Sequence, residues 1–244
     1  MSARRFFSPV IPGVSETVQL SPDESRHALK VLRLQNGDRL QLLDGAGTLA
    51  EAEMLPPEGR QARCRVLTRK TLEPESPRWH LYVAPPRGRN FEGLLKVAVE
   101  MGVFRVVPVI CRFAVSRPEQ TGENWTAAMI TAAKQAINPR LPELLPPQDF
   151  SAALAAAPKR GFVGAPAGTA TAVGGQCGHP RPGEVAVWIG PEGGFSAEEM
   201  QALQAAGVQA VTIGRFVLRV ETAVPALLAY LRAGLDFCGG MGHG

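Results

Sequence analysis

The sequence has few cysteines and no long apolar run, and both absences exclude classes of protein. Four cysteines occur among 244 residues, and no two of them form a CxxC pair. A disulfide framework or a zinc site is therefore not expected, and such cysteine usage is typical of the reducing cytoplasm. No stretch approaches the roughly 18 apolar residues of a membrane span, and the basic start MSARRFFSPVIPG lacks the apolar core of a secretion signal. We predict a cytoplasmic protein without a bound metal.

Lysine is also scarce, and the basic charge is unevenly distributed. Only five of the 26 basic residues are lysines. Residues 1–120 carry 18 basic and 13 acidic side chains, a net charge of +5, whereas residues 121–244 carry eight and nine, a net charge of −1. Arginine suits phosphates and base edges because its planar fork donates paired hydrogen bonds. The first half is compatible with a nucleic-acid partner, and also with an ordinary solvated basic surface.

The first 72 residues are predicted to form a small β-barrel. Short segments such as RLQLLDG and LAEAEML are separated by the turn signals NGD and AGT, a pattern typical of antiparallel strands. One short helix interrupts them, because Ser21 and Glu24 have capping-box spacing and Pro22 occupies the first helical position. The acidic, proline-rich LEPESP follows as a linker, so a second domain is expected over residues 77–244.

This second part alternates between strands and helices. WHLYVAPP, VFRVVPVI, RGFVGAP, EVAVWIG and AVTIG are predicted strands, and the final helix is expected over VPALLAYLRAGL with Pro225 in its first turn. Alternation of this kind predicts an α/β domain with a largely parallel sheet covered on both faces. Ligands of such sheets bind at the carboxyl ends of the strands, and here the last three strands end in GAP, GPEGG and GRF.

The segment IGPEGGFSAEEM is the first candidate site. Three glycines, a proline and Glu192 precede a helix whose start is marked by Ser196 and Glu199 in capping-box spacing. The free amide groups of that helix start face the turn, where a polar ligand can bind. Because Glu192 would repel a phosphate, a cationic or zwitterionic ligand suits the turn better. The alternative is a tight strand-to-helix turn without a ligand.

Familiar phosphate-binding motifs are absent from the sequence. No GxxxxGK[ST] occurs, and the formal GxGxxA at Gly45, Gly47 and Ala50 lies between two predicted strands instead of before a helix. We interpret it as a hairpin. His80 lies in a predicted strand and is expected to be packed, and the isolated Cys177–His179 segment does not make a metal site.

The segment TIGRFVLRVETAVPALL is the second candidate site. Arg215, Arg219 and Glu221 crowd the joint between a strand and the last helix. VLRVET contains no obvious turn residue, which indicates an extended or irregular backbone held by tertiary contacts. The alternative interpretation is a surface ion pair near a helix start.

Together, IGPEGGFS and IGRFVLRVETA resemble the paired signature of the RsmE-type rRNA uridine-N3 methyltransferases, members of the SPOUT class. RHALKVLRLQNGDRLQLLDGAG, LLKVAVEMGVFRVVPV and KQAINPRLPEL are similar to further segments of that family in the same order, so the resemblance covers nearly the whole chain. It implies a PUA-like β-barrel followed by an α/β domain with a C-terminal trefoil knot. It also implies S-adenosylmethionine as cofactor, a homodimer, and, as substrate, a uridine in the decoding region of 16S rRNA in the assembled small subunit.

The resemblance further implies roles for individual residues. The expected cofactor-binding residues are Gly164, Ala165, Pro166, Ile189, Gly190, Pro191, Glu192, Gly193, Gly194, Ile213, Gly214, Val217, Leu218, Arg219 and Thr222. The expected RNA-binding residues are Arg4, Arg5, His27, Arg33, Arg87, Arg89 and Arg112. We expect Arg219 to stabilise negative charge developing on the uracil, and Glu221 to orient Arg219 or accept the N3 proton. Alternatively, both residues only hold the knot together.

The chain departs from the family pattern at Cys111, Lys134 and Asn138, positions expected to flank an RNA-facing cleft. Two other functions stay open. One is a related enzyme that methylates tRNA or another rRNA atom, such as a ribose hydroxyl. The other is a non-catalytic RNA-binding protein of ribosome assembly, against which the intact glycine motifs argue.

Overall fold

A computed structural model describes residues 4–86, 90–166 and 183–236 of the chain. The chain divides into two compact units. The first combines Met1–Pro74 with Met129–Leu141, and the second combines Glu75–Ala128 with Pro142–Gly244. The first unit therefore contains a segment from the middle of the sequence, which no local pattern predicts.

The first unit is built on a five-stranded mixed sheet. Its elements are strands β1 (Arg5–Phe7) and β2 (Thr17–Gln19), helix α1 (Pro22–Arg26), a π-helical turn (His27–Val31), and strands β3 (Arg39–Leu43), β4 (Thr48–Glu58) and β5 (Gln61–Thr71). The strand order is β1-β3-β4-β5-β2, with β1 parallel to β3 and the other pairs antiparallel. The predicted β-rich segment with one short helix is confirmed.

The core of the first unit follows the two-residue period of its strands. Leu40 and Leu42 of β3, Met54 of β4 and Cys64 and Val66 of β5 are at most 3% exposed, because alternate side chains of a strand point to the same face. Burial raises the pKa of the Cys64 thiol to about 12.

The formal GxGxxA motif is a hairpin, as predicted. It lies in the connection between the antiparallel strands β3 and β4. Gly45 and Gly47 have φ angles of 78° and 111°, and the Asp44 carboxylate accepts the N–H groups of Ala46 and Thr48 at 2.8 Å each. The motif therefore shapes a turn.

The second unit contains a parallel sheet with the order β12-β10-β11-β6-β7-β8, and β9 also pairs with β7. The elements from residue 75 onward are β6 (Arg78–Val83), α2 (Asn90–Glu100), β7 (Arg105–Ile110), α3 (Trp125–Ala136), β8 (Glu143–Leu144), β9 (Gln148–Asp149), α4 (Phe150–Ala156), β10 (Gly161–Gly164), β11 (Glu184–Ile189), α5 (Ala197–Ala205), β12 (Gln209–Val211) and α6 (Val220–Asp236). Most of α3 belongs to the first unit. The five predicted strands and the parallel α/β arrangement are confirmed.

The middle strands of this sheet are buried along almost their whole length. Five of the six residues in both β6 and β11 are buried, as expected for parallel strands covered on both faces. The rings of Tyr82 and Trp188 stack with centroids 4.3 Å apart. His80 is 0% exposed, which confirms the prediction that it is packed, and burial is the main cause that lowers its pKa.

Two local predictions are wrong. Helix α6 begins at Val220, so Pro225 lies inside the helix instead of in its first turn. The cause is that the Arg219 carbonyl already accepts hydrogen bonds from the N–H groups of Thr222 and Ala223, which makes Val220–Thr222 helical and not extended. At α1 only half of the capping box forms. The Ser21 hydroxyl accepts from the Glu24 N–H, but the Glu24 carboxylate accepts from Phe7 and Lys134 instead.

Candidate functional site

A cavity of about 540 Å³ lies at the carboxyl ends of the last three strands of the parallel sheet. Three loops form its walls: Gly164–Pro166 after β10, Ile189–Gly194 after β11, and Ile213–Leu218 after β12. The strands are neighbours in the order β12-β10-β11, so loops distant in sequence meet at one edge. This is the place where ligands of open α/β sheets bind.

The turn after β11 needs glycine for two physical reasons. A Cβ atom on Gly190 would lie 3.0 Å from the Phe195 ring and 3.2 Å from the Gly194 carbonyl carbon, so close packing excludes a side chain. Gly194 has a φ of 75°, the left-handed region that glycine adopts without strain. Its N–H donates to the Pro191 carbonyl at 2.8 Å, which closes the turn.

Helix α5 holds this turn in place through a complete capping box, as predicted. The Ser196 hydroxyl accepts from the Glu199 N–H at 3.2 Å, and the Glu199 carboxylate accepts from the Ser196 N–H at 2.8 Å. The second oxygen of that carboxylate accepts the Arg112 N–H at 2.7 Å. One side chain thus ties the helix start to the loop that follows β7.

The structure brings most of the expected cofactor-binding residues together. Thirteen of the fifteen line the cavity, and Arg219 and Thr222 do not. The additional lining residues are Phe195, Met200, Gln204, Val211, Phe216, Val220 and Ala223. Met200 and Gln204 share one face of α5, so helical spacing is the signal that could have found them.

Thr212 is a residue that the sequence analysis missed. Its hydroxyl lies 3.1 Å from the Ala165 carbonyl oxygen and 3.0 Å from the Pro166 carbonyl oxygen. It therefore joins the loop after β12 to the loop after β10. Both of these loops line the cavity, so the hydroxyl fixes the spacing of two of its walls.

The two expected catalytic residues lie beside the cavity, at the start of α6. Arg219 is exposed and immediately precedes the helix, and Glu221 is half-buried in its first turn. In the described part of the chain, neither residue forms an ion pair. The alternative interpretation of this joint, a surface ion pair near the helix start, is therefore not observed there. The Arg215 guanidinium lies 4.8 Å from the centroid of the Phe216 ring. The site therefore presents two cationic groups that are not neutralised by carboxylates in this part of the structure.

The expected RNA-binding residues of the first unit are partly engaged with neighbouring groups. Arg4 forms an ion pair with Asp38 at 2.8 Å, and a hydrogen bond from the Gln35 N–H, followed by Arg4, lowers the pKa of the Asp38 carboxyl. Arg5 donates to the Gln41 side chain and to the Lys134 carbonyl. The remaining two residues are Arg33, with a φ of 53°, and His27, whose ring lies edge-on to Phe6.

The other members of that set lie elsewhere. Arg87 and Arg89 fall outside the described residues. Arg112, in the second unit, forms an exposed ion pair with Glu198 at 3.2 Å. An exposed pair of this kind contributes little to stability. The Arg112 guanidinium can therefore leave Glu198 for another partner at a small cost in free energy.

The three positions that depart from the family pattern have structural partners. Cys111 is 1% exposed, and burial raises the pKa of its thiol to about 12. The Lys134 ammonium lies 2.7 Å from the Glu24 carboxylate. The Asn138 side-chain oxygen accepts the Arg140 N–H at 3.0 Å. Each of these side chains therefore has a role in local packing or hydrogen bonding.

Within the described ranges, no group of histidine, cysteine, aspartate and glutamate side chains is placed to hold a metal ion. No helix in the same ranges is long and apolar enough to cross a membrane.

The fold and the site together define an α/β protein with a glycine-lined cavity at the carboxyl ends of its strands and an N-terminal β-rich unit. Residues 74–232 match the family described as the RNA methyltransferase domain, and residues 20–67 match the RNA methyltransferase PUA domain. The chain belongs to this RNA methyltransferase family, and its PUA-like and SPOUT-type parts are as the resemblance implied.

Relatives support the same assignment along nearly the whole chain. The chain is 28% identical to the ribosomal RNA small subunit methyltransferase E of Mycobacterium bovis, over 93% of this chain and 90% of the relative. It is similar to the Neisseria gonorrhoeae ribosomal RNA small subunit methyltransferase E bound to S-adenosyl methionine, with a TM-score of 0.84, 28% identity, and coverage of 95% and 97% of the two chains. A Legionella pneumophila methyltransferase in complex with the same cofactor gives a TM-score of 0.83 at 27% identity, with coverage of 96% and 98%.

Proposed function

We propose that this protein is an S-adenosylmethionine-dependent methyltransferase that methylates N3 of a uridine in the decoding region of 16S rRNA, in the assembled small subunit. The cavity carries this proposal, because thirteen residues expected to bind the cofactor meet there. Two similar structures hold this cofactor, and a similar protein is named for the small ribosomal subunit.

The residues of the cavity fit the chemical groups of this cofactor. Gly190, Gly193 and Gly194 line the cavity without side chains, so an adenosine or methionine moiety can approach the backbone of this turn. Glu192 lines the same cavity, and its carboxylate suits the positive charges of a sulfonium and an ammonium group. When bound, the cofactor supplies an electrophilic methyl group.

The chain must also make the uracil nucleophilic. At neutral pH, N3 of uracil carries a proton, so methyl transfer requires that this proton leave. We propose that the Arg219 guanidinium stabilises the negative charge that develops on the uracil carbonyl oxygens. Glu221, two residues further on, orients Arg219 or accepts the N3 proton.

The same proposal includes the arrangement implied by the family resemblance. It places a PUA-like domain over residues 1–72 and the methyltransferase domain over residues 77–244, with the C-terminal part knotted. It further includes a homodimer, a cytoplasmic location, and RNA contacts from Arg4, Arg5, His27, Arg33, Arg87, Arg89 and Arg112.

Methyl transfer from labelled S-adenosylmethionine to small subunits that lack the modification tests this function. A single reverse-transcription stop at a decoding-region uridine is expected, because methylation of N3 blocks base pairing. Incorporation of labelled methyl groups without a reverse-transcription stop would indicate that the methyl acceptor is a ribose hydroxyl or a base atom outside the pairing edge. No label in subunits or naked rRNA would contradict the proposed substrate, and tRNA would be tested next.

The catalytic roles need variants that keep the fold. Arg219→Lys and Glu221→Gln are expected to lower turnover by about 100-fold, the usual scale for a lost oxyanion donor or general base. Arg60→Lys and Glu123→Gln, both at exposed positions, are the matched controls. Unchanged turnover in both site variants, with cofactor affinity intact by calorimetry, would show that these residues only support the structure.

A further inference from the structure

The loop between β12 and α6 exposes two large apolar side chains at the cavity. Phe216 is 74% exposed and Val217 is 84% exposed, and both line the cavity. Leaving such side chains in water forgoes the stabilisation that burial would give. A ligand or partner that covers the Phe216 ring is therefore expected.

The charges around this ring indicate the chemistry of that partner. The Arg215 guanidinium covers one face of the ring, 4.8 Å from its centroid. Arg219 lies four residues after Arg215 and is also exposed. Neither guanidinium is paired with a carboxylate in the described part of the chain. A flat ring beside two available cations suits a partner that carries both a π-face and phosphates.

We propose that Phe216 is a stacking platform for a base of the RNA substrate, at the mouth of the cavity where the methyl group is transferred. The base packs on the ring face opposite Arg215, and Arg215 contacts the phosphate backbone. This inference rests on the proposed function, because it assigns a subsite to the RNA of that reaction.

A second copy of the chain is a less suitable occupant of this loop. A two-fold contact centred on it would bring Arg215 and Arg219 of one copy close to the same residues of the other. Like charges in such a contact repel each other, and the loop itself contains no acidic residue; Glu221, the nearest in sequence, is half-buried in the first turn of α6. A nucleic acid brings the compensating negative charge itself.

Substitutions of Phe216 separate stacking from simple apolar contact. Phe216→Leu keeps an apolar side chain but has no π-face, whereas Phe216→Trp and Phe216→Tyr keep one. Because base–aromatic stacking contributes roughly 5- to 150-fold in affinity per base, Phe216→Leu is expected to raise the KM for small subunits about 10-fold. The KM for small subunits should rise by a larger factor than the Kd for S-adenosylmethionine, and the oligomeric state should stay the same. Phe216→Trp and Phe216→Tyr should each raise the KM less than Phe216→Leu does.

Val14→Ala serves as the matched control, because Val14 is an apolar side chain that is 56% exposed outside the site. A Phe216→Leu variant with the wild-type KM would overturn the stacking platform while leaving the proposed function intact. Weaker cofactor binding at an unchanged KM for subunits would make Phe216 a wall of the cofactor site. Dissociation of an oligomer in Phe216→Leu would make it a contact between copies. A wild-type protein that methylates no RNA would instead contradict the proposed function itself.

Discussion

At the scale of single residues, glycine has two separate uses in the turn at the cavity. Gly190 lacks space for a side chain, because a Cβ atom there would lie only 3.0 Å from the Phe195 ring. Gly194 has open space where a Cβ atom would lie, but its φ is 75°. The first requirement is steric and the second is conformational, so they respond differently to substitution.

The conformational requirement can be measured with a matched pair of alanine variants. Gly194→Ala is expected to lower the free energy of unfolding by about 1 kcal/mol, because an L-residue is strained at this φ. Gly93→Ala is expected to raise it by roughly 0.5–1 kcal/mol, since Gly93 lies inside helix α2. Neither added Cβ has an atom within 4 Å. Urea unfolding curves of both variants provide the measurement, and equal shifts of the same sign would contradict the argument.

Two buried thiols give a second prediction at this scale. The pKa values of Cys64 and Cys111 are raised to about 12 by burial, so both remain thiols at pH 8. In a variant with serine at positions 177 and 238, native protein should react with a thiol reagent only as fast as it unfolds. Both thiols should react at once in denaturant. Rapid native labelling of one thiol would contradict its burial.

The same pKa shifts give a sign for the dependence of stability on pH. A thiol has an ordinary pKa of about 8.5, and the folded state holds its proton more tightly than the unfolded state does. The contribution of each buried thiol to stability is therefore complete below pH 8.5. It is lost as the pH rises from there toward 12.

At the scale of elements, helix α5 fixes the position of the glycine turn. The Glu199 carboxylate accepts two backbone N–H groups, from Ser196 and Arg112. The Ser196 hydroxyl accepts one, from Glu199. Helix capping and the attachment of the loop after β7 therefore depend on the same side chain.

Three alanine variants can rank these contributions. Ser196→Ala is expected to cost about 1 kcal/mol of stability, the usual effect of a lost N-cap. Glu199→Ala should cost roughly 2 kcal/mol, because it leaves two N–H groups without their acceptor. Glu198→Ala is the control and should cost less than either, since its ion pair with Arg112 is exposed. Thermal unfolding ranks the stability losses of the three variants. A Glu199→Ala variant as stable as Glu198→Ala would contradict the expected ranking.

These elements also show how far sequence reasoning reaches. The α5 capping box, the parallel strands and the small residues that end them could be predicted, because each depends on neighbours in sequence or on a strong period. The capping box of α1 was predicted wrongly because Lys134, 110 residues away, binds the Glu24 carboxylate. The start of α6 was misplaced because Pro225 suggested a first turn, although a helix of 17 residues accommodates it. Phe195 and Thr212 were missed because their contacts depend on tertiary structure.

At the scale of the whole molecule, the first unit depends on contacts between segments far apart in sequence. The Lys134 ammonium binds the Glu24 carboxylate at 2.7 Å, and the two side chains are only 26% and 11% exposed. The Arg140 guanidinium donates to the Leu72 carbonyl at 2.8 Å. Residues 129–141 are therefore a structural part of the N-terminal unit.

The buried ion pair gives a prediction for the stability of this unit. Lys134→Met is expected to cost about 3 kcal/mol, because it leaves the largely buried Glu24 carboxylate without its cation. Adding Glu24→Gln should recover a large part of that loss, since no unpaired charge then remains. Lys30→Met, at an exposed position, is the control. Urea unfolding gives the free energy of unfolding of the wild type, Lys134→Met, the double variant and Lys30→Met. A double variant no more stable than Lys134→Met would contradict the role of the unpaired charge.

The order of the chain has a consequence for the protein during its own synthesis. Among the described residues, those that line the cavity lie between Gly164 and Ala223, and the N-terminal unit includes Leu141. A growing chain therefore cannot complete its first unit until Leu141 has left the ribosome. It cannot complete the cavity until Ala223 has left the ribosome. A ligand of this cavity therefore cannot stabilise the earlier stages of folding.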